Sequence, residues 1–411
     1  MNLGALTLAA LGLAVLLSCV TRLNVGLLAM ALAWVIGVYV VGLPVKAVAA
    51  GFPVDLFLTL TGVTLLFSQA SVNGTLPRVA QNAVRLCRGS AGFVPILFFA
   101  LAAVLGSCGP GNIATTGLLA PVAMGTALRM RISPFLMAIM VGNGANASSL
   151  SPLAPTGLIV SGLMAKIGLP GMEFKTWFLN LAAHALVAFA GYFLFGGLRL
   201  LREPASGGAD VDRAPLERAH WLTLAVIAAL VLGVVFGRMQ IGMAAFAGAV
   251  LLSLLRAADE DEALRRVPWG TIMMVCGVTV LISLLEKTSG LELFTDMLAR
   301  IATPTTVIPL VALMVGFISA YSSTSGVVLP AFLPLVPGLV AKLGLDSGLG
   351  LAETMNIAGH LVDVSPLSTI GALCIASIPP GDASRLLFNQ LLAWGFSMMA
   401  VGALFCWVVL S

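Results

Sequence analysis

Charge is what this 411-residue sequence has least of: Asp, Glu, Lys and Arg together make up 9% of it, against 59% apolar residues. With a mean hydropathy of +1.07, that balance excludes an ordinary water-soluble globule, which carries about 25% charged residues. Tyrosine is scarce. The six cysteines (Cys19, Cys87, Cys108, Cys276, Cys374, Cys406) lie far apart with no CxxC pair, which excludes the usual zinc and thiol-redox motifs and leaves them as small apolar fillers. The first 20 residues are apolar without a basic flank, so a first spanning helix is expected there rather than a cleaved signal peptide. Nucleic acid is not an expected partner, and no cofactor is expected. Glycine and proline are plentiful, 44 and 21 residues, as suits closely packed, interrupted membrane helices.

Windows long enough to cross roughly 30 Å of hydrocarbon occur at 3–20, 24–42, 54–72, 134–165, 176–198, 220–236, 240–256, 268–285, 352–379 and 386–410. Two further apolar pairs, 91–106 with 113–127 and 305–319 with 326–341, are parted by short polar tips. Several of these arms are short for crossing alone, so each pair reads as a re-entrant hairpin. One long polar segment, 202–219, divides the chain into a first half (1–201) and a second (220–411).

The halves repeat each other. "RLNVGL" at Arg22 recurs as "RMQIGM" at Arg238, "GVTLL" at Gly62 as "GVTVL" at Gly277, "TTGLLAP" at Thr115 as "TSGVVLP" at Thr324, and "SPLAPTG" at Ser151 as "SPLSTIG" at Ser365. Four matches in one order indicate a duplication. Five spans per copy is an odd number, so the second copy is expected upside down, the inverted-repeat plan of secondary transporters. On this threading, the face carrying residues 73–90, 128–133, 199–219 and 256–266 holds 14 of the 21 basic residues, all arginine, and the other face holds all five lysines. The positive-inside rule makes the arginine face cytoplasmic and places both termini outside, in a bacterial-type inner membrane.

The polar stretches fall at the tips, 107–117 and 319–326, and in two spans broken at 143–152 and 359–366. Ser151-Pro152 and Ser365-Pro366 are expected to cap and restart helices. Hydroxyls at both tips are expected to cap the returning arms. A helix start carries about half a positive charge and free N–H groups, so converging starts form an anion site without Lys or Arg; none of the 21 basic residues lies in these segments. Asn112, Asn143, Asn146 and unwound carbonyls offer oxygen to a small hard cation. Substrate-facing candidates are Asn112, Thr115, Thr116, Asn146, Ser148, Ser151, Ser323, Thr324, Ser325, Ser365, Ser368 and Thr369; of these, Ser148, like its neighbour Ser149, reads equally as cap or packing. Asp363 stands out, because an acid inside a span costs roughly 3 kcal/mol or more unless paired or solvated. It reads as a cation or proton ligand, with His360 as a neighbour that shares its proton or acts as a donor. His184 reads as a packing histidine, and Asp55 and Glu173 as interfacial. Segments 74–88 and 257–267 read as short amphipathic surface helices.

The paired tips and breaks, with "SSTSGVVLPAFLPLVPG" and "GHLVDVSPLSTIG", resemble the ion transporter superfamily, and most closely its MatC-type dicarboxylate (malonate) carriers, relatives of the divalent anion/sodium symporters. The resemblance implies an all-α membrane fold of scaffold and mobile transport domains, a homodimer in the lipid bilayer, and an elevator movement. It implies one cation site at Asn112, Thr115, Asn143 and Asn146, and another at Ser323, Thr324 and Asp363. The symporters' Ser-Asn-Thr signature is replaced here by "PGNIATT" and "SSTS", which leaves the coupling ion open between Na+ and H+. The expected function is cation-coupled uptake of a small dicarboxylate such as malonate or a C4 acid. The alternatives are a cation/proton antiporter of the same superfamily and the membrane subunit of a binding-protein-dependent carboxylate uptake system. An enzyme is not expected, for lack of a base or a second acid beside the midplane serines.

Overall fold

The structure is a computed structural model and describes residues 2–20, 23–84, 91–202, 215–237 and 239–411. Every regular element among them is helical. The chain is a multi-pass membrane protein: six helices are long and apolar enough to cross a membrane, Val54–Val72, Glu173–Leu194, Trp269–Lys287, Thr324–Leu343, Leu349–Ala376 and Asp382–Leu410. The sequence reading expects ten spans, but four of those ten segments are here apolar helices that fall short of that length and composition test. Thr324–Leu343, by contrast, passes it although the sequence reading takes it as the second arm of the 305–341 pair.

The helices of the two halves follow one order. Leu3–Val20, Val25–Val40, Val54–Val72, Thr75–Val84, Phe93–Ser107, Gly111–Arg129, Pro134–Ser148, Pro155–Lys166 and Glu173–Leu194 have successive counterparts. These are Arg218–Val235, Ile241–Leu254, Trp269–Lys287, Gly290–Ile301, Val307–Ser319, Thr324–Leu343, Leu349–Leu361, Thr369–Ala376 and Asp382–Leu410. The amphipathic helix Gly290–Ile301 is not anticipated from the sequence; it answers Thr75–Val84, which is. The linker residues 203–214, Arg22, Arg238, Cys87 and the end of segment 74–88 lie outside the described residues.

Two of the repeated motifs are where the halves cross. Val25–Trp34 packs on Trp269–Lys287, and Val54–Val72 packs on Ile241–Leu254. At the first crossing a Cβ on Gly277 would stand 2.0 Å from the Gly26 carbonyl oxygen, and one on Gly26 would stand 2.2 Å from that of Met273. At the second, a Cβ on Gly62 would stand 2.3 Å from the Gly242 carbonyl oxygen. Backbone meets backbone at these points, the close approach that small residues permit in membranes. The N-caps beside the glycines reach across as well. Asn24 accepts from the Gly26 N–H and donates to the Gly270 carbonyl at 2.7 Å, while Gln240 accepts from the Met243 N–H and donates to Thr59 Oγ1 at 3.0 Å.

Leu3–Val20, Arg218–Val235 and Gly290–Ile301 pack with these crossing helices, and a second body is built around the two broken helices. Pro134–Ser148 packs on Phe93–Ser107, Gly111–Arg129 and Glu173–Leu194, and Leu349–Leu361 packs on Val307–Ser319 and Asp382–Leu410. Pro134–Ser148 and Leu349–Leu361 are themselves buried along almost their whole length, which places both polar breaks at the centre of the protein.

Candidate functional site

The breaks lie a turn later than their polar residues suggest. Pro134–Ser148 stays helical through Asn143 and Asn146, so the interruption is 149–154 rather than 143–152, and the helix resumes at Pro155 rather than Pro152. In the second copy the helix runs to Leu361, tightens to a 3-10 turn at Val362–Val364, and resumes at Thr369 rather than Pro366. The reason is local. A residue before proline is pushed toward extended backbone, and Ser365, with ψ of 149°, and Ala154, likewise before a proline with ψ of 149°, obey that rule. Each serine therefore closes a tight turn instead of capping the next helix. The Ala154 N–H bonds to the Ser151 carbonyl at 2.9 Å and the Ser368 N–H to the Ser365 carbonyl at 3.1 Å. The seventh residue of each motif explains the rest of the repeat. A Cβ on Gly157 would meet the Ser151 carbonyl oxygen at 1.9 Å, and one on Gly371 would meet that of Ser365 at 2.1 Å.

The tips differ. The second is capped as expected, with the Ser323 hydroxyl accepting from the Gly326 N–H at 3.0 Å at the head of a π-turn, Thr324–Val328. The first is not: the helix Gly111–Arg129 starts after Pro110 with no side-chain cap, on glycines with φ of 136° (Gly109) and 76° (Gly111).

Both tips and the second break open onto one cavity of about 220 Å3. Asn112 and Ile113 line it from the first tip, Tyr321 to Ser325 from the second, and His360, Asp363 and Leu367 to Ile370 from the break, with Leu23, Val25 and Met274 closing the side toward the crossing helices. Three helix starts, at Gly111, Thr324 and Thr369, thus face one space. Among the described residues, no lysine or arginine lines it. The fourth helix start, at Pro155, does not contribute to it. The volume is below the roughly 300–1,000 Å3 of sites for drug-sized ligands, which limits the occupant to a compact molecule.

Of the residues singled out from the sequence, Asn112, Ser323, Thr324, Ser325, His360, Asp363, Ser368 and Thr369 line the cavity. Asp363 accepts a hydrogen bond from Thr324 Oγ1 at 3.0 Å, and the same hydroxyl lies 3.4 Å from the Gly359 carbonyl. Ser368 donates to the carbonyls of Asp363 and Ser365. His360 is not paired with Asp363: its Nδ1 bonds to the Asn356 carbonyl at 2.7 Å.

The other candidates stand behind the wall. Asn146 accepts from the Asn112 amide at 2.9 Å and donates to the His360 carbonyl at 3.1 Å, so it joins the first tip to the second break without lining the cavity. Asn143 donates to the Ile139 carbonyl, and its oxygen bonds His184 Nδ1 at 3.0 Å. His184 is therefore tied to a candidate residue. Thr116 donates to the Asn112 carbonyl, Ser148 to that of Ala145, Ser149 to that of Asn146, and Ser151 to that of Ser107 at the first tip. Thr115 is buried with its hydroxyl unmatched. Of the set Asn112, Thr115, Asn143 and Asn146, only Asn112 and Asn146 are bonded to each other and only Asn112 lines the cavity, whereas Ser323, Thr324 and Asp363 share one wall.

Sequence reasoning overlooks Glu353, buried at 1% exposure with Thr176 donating to its Oε1 at 2.5 Å, and Asn180, which donates to the Asn146 carbonyl at 2.8 Å. The signal available for Glu353 was an acid inside a predicted span, the criterion that selected Asp363.

No curated protein matches the chain in sequence. In structure it is similar to the YdaH transporter of Alcanivorax borkumensis, with a TM-score of 0.61 at 15% identity over 97% of this chain and 98% of that one, so the two share a fold. The first third of the sequence carries the more specific likeness: residues 1–149 match the family described as the N-terminus of the dicarboxylate carrier protein MatC, in agreement with the resemblance drawn from the tip and break motifs.

Proposed function

We propose that the protein is a secondary carrier, not an enzyme, which takes up a small dicarboxylate together with a cation. One observation carries this reading: three helix starts and no basic side chain face a cavity whose wall also holds the carboxylate of Asp363. Helix starts favour an anion, and Asp363 opposes one until a cation or proton neutralises it. An anion and a cation that each improve the other's binding are what coupled transport requires. The family match over residues 1–149 supports a dicarboxylate as the anion, as does a cavity of compact size.

In this reading the crossing helices are a scaffold and the second body is the moving domain, with re-entrant hairpins in two inverted repeats. The carrier works as an elevator in a homodimer in the inner membrane, its termini outside. The coupling ion is Na+ or H+; the oxygen set of Asp363, Thr324 and the neighbouring carbonyls suits a small hard cation. Uptake of labelled malonate and succinate into proteoliposomes, under imposed sodium or proton gradients, tests it. Uptake that follows one gradient is expected, and no gradient-dependent uptake of any carboxylate would overturn the reading.

A further inference from the structure

Glu353 is a second acid inside the protein that the cavity does not use. It lies on Leu349–Leu361 two turns before His360, at 1% exposure, and among the described residues it takes part in no ion pair. Its Oε1 is held by Thr176, whereas its Oε2 has no partner. Asn356, one turn on, turns its amide N–H toward Met164 Sδ at 3.6 Å, and its own side-chain oxygen is also without a donor. A buried acceptor with no donor is costly, and a buried carboxylate without a paired base is costlier still. A single proton on Oε2 removes both costs.

Among the described residues no cation forms an ion pair with Glu353. Lys175, exposed on Glu173–Leu194, acts on Glu353 only from a distance, and Cys406 on Asp382–Leu410 is its other titratable neighbour. Val307–Ser319 and Pro134–Ser148, the other long helices beside it, contain no titratable residue. The group nevertheless has polar neighbours on both sides. Thr176 shares a crevice with the half-buried Glu173 and with Ser161. Toward the cavity, the Asn356 carbonyl bonds His360, which lines it, and the His360 carbonyl bonds Asn146. Glu353 thus lies between Thr176 at the crevice and Asn356, whose carbonyl holds the cavity-lining His360.

We propose that Glu353 is a proton-binding site separate from Asp363, loaded and emptied during each cycle, so that proton coupling is read at Glu353 while Asp363 faces the substrate. The coupling role rests on the carrier reading; the binding site itself does not. Two experiments keep the two apart. In detergent, without any substrate, infrared difference spectra of the full chain titrated with pH are expected to contain a carboxylic C=O band that is missing in Glu353→Gln. No such band, or one that survives in Glu353→Gln, overturns the site. Thr176→Val retains the carboxyl and removes its donor, so it is expected to displace the same band even if the Gln variant does not fold; an unmoved band overturns the site.

In proteoliposomes, Glu353→Gln is expected to lower accumulation driven by a pH gradient at least about tenfold while exchange of preloaded substrate persists. Undiminished accumulation overturns the coupling role. If the wild-type protein moves no carboxylate, the carrier reading falls, and the infrared result alone decides the site.

Discussion

Position for position, the two broken helices share the Ser-Pro-Leu turn and the glycine that closes it, and differ in the polar groups they carry. Aligning Ser151 with Ser365 places Ser149 opposite Asp363 and Asn146 opposite His360, and the repeated Thr-rich motif places Thr115 opposite Thr324. In the second copy the pair is joined, with Thr324 donating to Asp363 on the cavity wall. In the first copy Thr115 is buried without a partner and Ser149 turns back to its own helix. The same backbone device has thus been kept twice and equipped once. Shape is duplicated, and charge is not. The first copy serves the second mechanically: Asn146 ties Asn112 to the His360 carbonyl and so fixes one tip against the other copy's break.

Asp363→Asn strikes the difference directly and carries the largest expected effect. It keeps the hydrogen bond from Thr324 and removes the charge, so gradient-driven uptake should fall by about 100-fold, some 2.8 kcal/mol, while Ser149→Ala, at the matching position, stays within about twofold. Equal losses in initial uptake rate would break the comparison.

The next test asks whether the shared device is equivalent in both copies. Gly157→Ala and Gly371→Ala each drive a methyl into a serine carbonyl, and both are expected to cost about 3 kcal/mol of stability, seen as matching drops in thermal midpoint in detergent. If only one destabilises, the two breaks are not built alike.

A smaller effect is expected at Asn146→Ala, which leaves the Asn112 amide and the His360 carbonyl unsatisfied. It should cost about 2 kcal/mol and raise the substrate concentration for half-maximal uptake more than it lowers the maximal rate. Thr324→Val removes one neutral donor from the acid and should weaken cation dependence by about 1 kcal/mol, read as a shift in the cation concentration for half-maximal uptake. Its counterpart Thr115→Val, which removes an unmatched buried hydroxyl, should be neutral or stabilising.

Much of this contrast was legible before the fold. Polar residues in apolar spans announce themselves because lipid tolerates few of them, so both tips, both breaks and the special standing of Asp363 could be read directly. Register was harder. Asn143 and Asn146 read as unwound backbone because asparagine favours caps and turns, yet both remain helical, their amides being satisfied by Ile139, His184, Asn112 and the His360 carbonyl. Three of those four partners come from other helices, and no local pattern specifies them. The prolines gave the right breaks but the wrong restart, since Ser151 and Ser365 can either cap a helix or close a turn. Glu353 was hidden by its position next to the predicted start of a span at 352, where an acid is ordinarily explained by interfacial water. Gly290–Ile301 escaped because its amphipathic pattern is too polar for a span and lies between two spans that were easier to see.

The crossed glycines have a consequence for synthesis. The partner of Gly26 is Gly277, some 250 residues further along the chain. At roughly 5–20 residues per second this is a wait of roughly 10–50 s, during which the faces of Val25–Trp34 and Val54–Val72 have no native cover. The first half is therefore a client during translation, dependent on lipid, on a chaperone or on a second nascent copy until its complement emerges. Residues 1–202 expressed alone should be degraded and should accumulate when 203–411 is co-expressed; a first half that persists by itself as a monomer would show that the crossing is dispensable.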